Sequence, residues 1–428
     1  MTSRFKVATG LVLALWVGVL VGPADATDLK DVIPNLFGQG IILQPGGPLP
    51  FFPQNSRFQE SSLQVLDQLN TQLITGIGVP SFNSSVTGFT FDIERGIPVR
   101  TTESLGPLLT ERATTLGARK LDLTFTYTRV NFTKLEGKDL NNLELVFLRD
   151  DANGNGVRDT SGPFSFESDI IGGAKLKVDL TEDIFALIAT YGLTSEWDIG
   201  IVVPVTHIRL RASAQGPLII FDQFGNRGGT SIGGLPVHRF GPDSTPPAVS
   251  LSDETAVSVS GGGDATGLGD IILRTKYNFL RNYDDLVPDL AFLFEIKLPT
   301  GDEDQLLGTG GTNLTGLLIG SKTYGHWFTP HVNLGYEIDT KDTQQNTIRY
   351  ALGFDARLSS ELTAAAAVIG RAKPDGRGAG DHIIDLSLGV KWNPVNSLIL
   401  RANVQIPLDK NNGLRADFIP TVGVEYIF

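Results

Sequence analysis

The sequence predicts an all-β fold, a closed antiparallel transmembrane β-barrel of about twelve strands. Three observations carry that reading. From Arg119 to Phe428 apolar and polar residues alternate with period two, long and short connections alternate between the apolar-polar runs, and beyond an N-terminal leader no apolar stretch approaches the roughly 20 residues of a membrane helix.

The leader comes first. Met1-Thr2-Ser3-Arg4-Phe5-Lys6 is short and basic, Val7 to Val21 is apolar, and Ala24-Asp25-Ala26 places small residues where a signal peptidase cuts. Residues 1–26 are therefore expected to be a secretory signal peptide, with the mature chain beginning at Thr27.

Residues 27–117 form a head of different character. Pro34 to Pro53 is rich in Gly and Pro and reads as extended loop. Ser56 and Gln59 have capping-box spacing, and Leu63, Leu66, Leu69 and Leu73 recur at helical intervals, predicting an amphipathic helix over 57–75. Ser104-Leu105-Gly106-Pro107 opens a second, shorter predicted helix ending near Leu116. Helices this short need a partner for their apolar faces, which makes the head a plug in the lumen or a periplasmic segment. A β-like stretch from Gly88 to Ile93 could add a hairpin and raise the count to about fourteen strands.

Residues 118–428 carry the barrel pattern. Strands are predicted near 119–134, 174–192, 197–214, 267–281, 288–300, 312–323, 327–340, 346–358, 362–372, 381–393, 397–407 and 416–428. Along the seventh, Phe328, Val332, Leu334, Tyr336 and Ile338 alternate with Thr329, His331, Asn333, Glu337 and Asp339. Most strands match the roughly 9 to 11 residues that a tilted strand needs to cross a bilayer. A soluble sandwich would alternate too, but has no reason to keep long loops on one side and tight turns on the other, as transmembrane barrels do. Backbone groups in lipid must be paired within the protein, so the first and last strands should close the sheet. An even count puts both ends on the periplasmic side, where a final strand ending in Tyr426 and Phe428 suits the barrel-assembly machinery. Trp197, Tyr277, Trp327 and Trp392 fall near strand ends, where aromatic girdles meet outer-membrane lipid.

Composition excludes several chemistries. Without cysteine there is no disulfide, thiolate nucleophile or cysteine metal site. A net charge of -12 argues against nucleic acid, whose binding rests on basic phosphate contacts. There is no G-x-S-x-G elbow, and none of the five histidines stands in a serine hydrolase pattern, so no catalytic residue is assigned. His331 reads as a hydrogen-bonded wall residue.

The stretch Asp151-Ala152-Asn153-Gly154-Asn155-Gly156-Val157-Arg158-Asp159 begins like an EF-hand loop, which nominates Asp151, Asn153, Asn155 and Asp159 as Ca2+ ligands in the first outer loop. The twelfth position is Gly162, so the bidentate glutamate is missing; the other reading is an Asn-Gly hairpin tip. Nothing suggests a required cofactor. The acidic, glycine-rich run from Pro299 to Gly311 reads as a solvated surface loop, with an inward fold that narrows the lumen as the alternative. Lys175, Lys177, Arg274, Lys276, Arg349, Arg357, Lys391 and Arg401 stand on polar strand faces with Asp179, Glu295, Glu337, Asp355, Asp385 and Glu425, a mixture expected to pair within a narrow lumen.

Gly267-Leu268-Gly269-Asp270-Ile271-Ile272-Leu273-Arg274-Thr275-Lys276-Tyr277, Ile296-Lys297-Leu298-Pro299-Thr300-Gly301-Asp302-Glu303-Asp304, Leu307-Gly308-Thr309-Gly310 and Asn333-Leu334-Gly335-Tyr336-Glu337 together resemble a family of outer-membrane transporters named for the meta-pathway of phenol degradation. Tyr191-Gly192-Leu193-Thr194 with Trp197-Asp198-Ile199-Gly200 resembles its first periplasmic hairpin, and the likeness spans roughly Ser104 to Phe428. The resemblance implies a bacterial outer-membrane channel, loosely akin to fatty-acid and aromatic-hydrocarbon transporters, that passes small hydrophobic or aromatic solutes by passive diffusion. Two other classes stay open: a lipid-acting barrel enzyme using Asp302 with Asp304, and a structural or adhesive barrel whose loop from about Gln215 to Thr266 binds a partner.

Overall fold

The computed structural model describes residues 28–36, 42–43, 89–92, 97–100, 104–148, 155–157, 159–161, 168, 170–216, 219–221, 231–232, 235–236, 238–239, 257–281, 287–374, 376, 380–395 and 398–427. The predicted leader, the predicted helix at 57–75 and Phe428 lie outside these residues.

Twelve antiparallel strands close into a barrel. They are β1 (Leu121–Leu135), β2 (Ile170–Gly192), β3 (Trp197–Gly216), β4 (Val257–Leu268 continued by Ile272–Leu280), β5 (Asp289–Lys297), β6 (Asn313–Ser321), β7 (Phe328–Asp339), β8 (Thr347–Arg357), β9 (Leu362–Ala372), β10 (His382–Val395), β11 (Leu398–Pro407) and β12 (Ile419–Ile427). Each strand pairs with its sequence neighbours, and β12 closes on β1 from Thr421 opposite Thr128 to Ile427 opposite Asp122. Leu121 and Ile427 therefore share one end, termed the base, and the long loops crown the other end, the mouth. The hairpin Phe89–Asp92 with Ile97–Arg100 is a separate two-stranded sheet, so it does not enlarge the barrel.

The two faces of each strand follow the period-two rule. Phe125, Phe185, Ile199, Phe292, Leu318, Leu334, Leu352, Leu388 and Val424 point outward and are exposed, while their neighbours point inward. An apolar band exposed all round a closed sheet is the surface that hydrocarbon covers. Trp197, Tyr277, Trp327, Trp392 and Tyr426 edge this band at the base.

The band has a sharp upper limit on the first three strands. On β3, Trp197, Ile199, Ile201, Val203 and Val205 face outward, and then His207, Arg209 and Arg211 take over the same face. On β2, Phe185 and Leu187 give way to Asp183, Asp179, Lys177 and Lys175 toward the mouth. Inside, the polarity reverses at the same height: Leu176, Val178, Leu180, Ile208 and Leu210 are buried. Lys175, Lys177 and Asp179 are thus on the outer wall above the membrane and not in the lumen, because there the outer face meets water and the inner face meets a packed element.

That element is α1 (Val32–Leu36), entered through a 3-10 turn at Leu29–Asp31. Pro34 lies in its first turn, where a missing N–H costs nothing, so Pro34 to Leu36 belongs to a helix and not to the predicted loop. Leu29, Val32, Ile33 and Leu36 are buried against β3, β4, Leu135, Leu140 and Leu306.

β4 also begins earlier than predicted, at Val257 and not near 267, pairing with β3 from Val257 opposite Gly216 to Leu268 opposite Val205. Ser258-Val259-Ser260-Gly261-Gly262-Gly263 reads as loop because glycine is poor in strands. Here it marks a close approach. A Cβ on Gly261 would meet Leu36 at 3.3 Å and one on Gly263 would meet Leu29 at 2.8 Å, so the glycines are the seat of α1.

The band makes a quantitative prediction. Leu334→Arg, near its middle, should lower the unfolding free energy by about 2–4 kcal/mol, and Asn131→Arg, on the outer wall above it, by about 0–1 kcal/mol. Urea unfolding in lipid vesicles compares the two; equal costs would mean that the band is not in hydrocarbon.

Candidate functional site

The lower lumen is polar, as the inward residues of the strands dictate, and Ser104–Leu116 crosses it. This segment is irregular and not the predicted helix. A non-helical backbone inside a barrel must find partners for each N–H and C=O, and wall side chains supply them. Leu105 N donates to Thr363 Oγ1 at 2.9 Å, Glu111 N to Asn333 Oδ1 at 2.9 Å, Ala113 N to Ser321 Oγ at 3.0 Å and Leu116 N to Asp198 Oδ2 at 2.8 Å. In return Asn333 Nδ2 donates to Glu111 O at 2.9 Å, Asn278 Nδ2 to Ala113 O at 2.8 Å and Arg401 to Leu108 O at 2.8 Å. The wall acts on this belt as a neighbouring strand would, which removes the drive to form a helix.

Charges fasten the same belt. Arg112 forks Asp355 with both partners buried, and Ser104 Oγ donates to the same carboxylate at 2.5 Å. Glu111 receives Arg274 at 2.7 Å and Lys276 at 3.2 Å, while Arg274 also reaches Glu295 at 2.8 Å. His331 is a wall residue, as expected: its Nε2 lies 2.5 Å from Thr110 Oγ1. Beside the belt, Glu425 receives Lys391 at 2.9 Å and Arg401 at 3.1 Å. These carboxylates and cations of the base are thus paired, and Arg401 ties the Glu425 group to the belt through Leu108 O.

At the mouth, the segment 298–312 folds inward and is not the solvated loop expected. Asp270, at the break in β4, accepts from Gly301 N at 3.0 Å and Thr309 N at 3.0 Å, and Thr300 Oγ1 donates to Gly269 O at 2.7 Å. Gly301 and Gly308 allow the two arms of the loop to touch; a Cβ on Gly301 would stand 2.7 Å from the Gly308 Cα. Leu306 is thereby buried against α1, and Lys30 bonds Asp304 at 2.5 Å while Gln305 bonds Asp28 at 2.9 Å. Asp302 accepts from Asp304 N at 3.0 Å, so these two acids organise a turn and a latch.

Beside Leu109 and Glu111 of the belt lies a cavity of about 170 Å³. Leu109, Ile184, Ile188, Leu317, Ala351 and Ile369 give it apolar walls, with Arg274, Arg349, Arg371, Arg401 and Arg415 facing Glu111, Glu182, Glu295 and Asp385.

Of the nominated calcium ligands, Asp151 and Asn153 lie outside the described residues. Asn155 Oδ1 accepts from Val157 N at 2.8 Å and its amide nitrogen stands 3.3 Å from Asp159 Oδ2, with Gly156 at φ 80°. Sequence reading missed α1, although Leu29, Val32, Ile33 and Leu36 have the i, i+3, i+4, i+7 spacing that signals one. It also missed the belt's Glu111 and Arg112 and the position of Arg371, for which no local pattern exists.

The profile of the family described as "Putative MetA-pathway of phenol degradation" matches residues 154–419. The chain belongs to this family. The stretches Gly267 to Asp270, Pro299 to Asp302 and Leu307 to Gly310 lie within the matched region and build the inward loop at the mouth. No curated protein matches the chain. Among solved structures it is similar to an outer membrane channel from Pseudomonas putida F1 (11% identity, 75% of this chain, 100% of that chain, TM-score 0.46). It is also similar to a Pseudomonas aeruginosa FadL homologue (11%, 82% and 100%, TM-score 0.34) and to the toluene transporter TbuX of Ralstonia pickettii (10%, 73% and 90%, TM-score 0.34).

Arg112→Ala should release the belt, since removing one partner of a buried ion pair costs about 3–5 kcal/mol. Limited proteolysis of vesicle-embedded protein is expected to cut between Ser104 and Leu116 at least a hundredfold faster in the variant; an unchanged rate would mean that the Arg112–Asp355 pair does not hold the belt.

Proposed function

We propose that the chain is a passive channel of the bacterial outer membrane for small hydrophobic or aromatic solutes, with no catalytic role. The observation that carries the proposal is the cavity of about 170 Å³ inside the barrel, bordered by Leu109 and Glu111 of the belt and lined by apolar and charged side chains of the surrounding strands. A cavity near 150 Å³ with apolar walls is enough to hold benzene. Family membership supports the same solute class, and Asp302 and Asp304 are engaged in holding the mouth loop.

Uptake of labelled phenol by cells with a lipopolysaccharide outer membrane tests the proposal. Cells producing the chain should take it up several-fold faster than cells without it. Gly263→Leu, which collides with Leu29, should raise the rate further by expelling α1. Equal uptake with and without the chain would defeat the proposal.

The outer loop adds a separate proposal, weak Ca2+ binding by Asp151, Asn153, Asn155 and Asp159, supported by the spacing of oxygen ligands around Gly156. Calorimetric titration with Ca2+ should show heat that Asp159→Asn abolishes; identical traces for the two proteins would remove it.

A further inference from the structure

Arg371 stands apart from the other cations of the lumen. It projects inward from β9, it lines the cavity, and among the described residues it makes no hydrogen bond or ion pair through its side chain. Its cross-strand partner on β8 is Arg349, so two guanidinium groups occupy directly opposed positions on one face of the sheet. Like charges so placed repel and destabilise a strand pair.

The acids nearest to Arg371 are already committed. Glu337 receives Asn313 Nδ2 at 2.6 Å and Arg349 at 3.4 Å. Arg349 also reaches Glu295 at 3.6 Å. Asp385 accepts from Arg415 on one oxygen and from Gln405 at 2.8 Å on the other. A guanidinium that faces a cavity beside a like charge, with its neighbouring carboxylates taken, has donors left for an anion that is not part of the chain.

The surroundings define that anion. Two residues back along the same face of β9 stands Ile369, which packs with Ala351 and Leu109. Residues i and i+2 of a strand are about 7 Å apart, which is also the scale that separates the carboxylate of a monoaromatic acid from the far edge of its ring. We propose that Arg371 is the binding station of a small organic carboxylate, its charge forked by the guanidinium and its apolar body on Ile369, Ala351 and Leu109. The station deepens the channel reading and rests on it for its role in transport: it gives the lumen a preference for acids over neutral solutes of equal size.

The test compares benzoate with benzyl alcohol, which keeps the ring and loses the charge, by calorimetric titration of the purified full chain in detergent micelles. Benzoate should bind wild type at least tenfold more tightly than benzyl alcohol, and Arg371→Gln should lose that benzoate affinity at least tenfold, while Arg371→Lys should retain part of it. Heat-modifiable migration on gels verifies that each variant is folded. Equal affinities of benzoate and benzyl alcohol for wild type overturn the inference with no variant needed, and so does benzoate affinity unchanged in a folded Arg371→Gln. Failure of the phenol uptake assay would overturn the channel reading and leave the micelle comparison standing, so the two failures are distinguishable.

Discussion

Closure of the sheet is the constraint from which the rest of the structure follows. Once β12 pairs with β1, no edge remains to meet lipid, and every second side chain is committed to an interior that bulk water reaches poorly. Polar residues on that face cannot be left alone, because a buried charge without a partner costs several kcal/mol. The wall alone does not satisfy them: Asp355, Arg274 and Lys276 find partners on a segment that is not a strand at all. Ser104–Leu116 is in this sense a part of the wall's electrostatics as much as an obstruction of its lumen. The same wall side chains replace the hydrogen bonds that a helix would have made, which is why a segment carrying helix-start signals runs irregularly.

The upper chamber solves the opposite problem. Above the membrane the outer face of β1, β2 and β3 is wet and the inner face is free to be apolar, so polarity on these strands inverts at the height of Asp183 and His207. An apolar chamber open to water would be unfavourable, and α1 fills it. The glycine run of β4 gives the helix its clearance, and the loop fixed by Asp270 brings Leu306 against it. The stretches at Gly267 to Asp270, Pro299 to Asp302 and Leu307 to Gly310 thereby acquire a physical meaning: they are the two halves of one clasp, separated in sequence and stitched together by the Asp270 carboxylate.

This division explains what could be read from the sequence. Period-two alternation is local and specific, so the twelve strands, their parity, the closure and the girdle at Trp197, Trp327 and Trp392 were legible, and His331 as a wall residue followed from its face. The plug was legible only as a suspicion. Helix signals at Ser104 describe what a segment does alone, and its conformation here is set by Asn333, Asn278 and Asp198, which lie up to hundreds of positions away. Strand β4 was truncated because Gly261 and Gly263 look like loop until α1 is in place. Lys175, Lys177 and Asp179 were given to the lumen because alternation tells which residues share a face and not which face is which above the membrane. Arg371 is an ordinary inward arginine in sequence, and only the register with Arg349 and the prior engagement of Glu337 and Asp385 single it out.

The two plugs differ in what it takes to move them. The belt is held by buried charges: taking it away would strip Asp355 of Arg112 and Lys276 of Glu111. The helix α1 is held by apolar contact: withdrawing it exposes Leu29, Val32, Ile33 and Leu36 together with the chamber wall they cover. In the cavity beside the belt, Arg371 is the lining guanidinium that, among the described residues, makes no ion pair. The barrel is thus filled near the mouth by packing and near the base by charge, because the polarity of its inner face is opposite at the two heights.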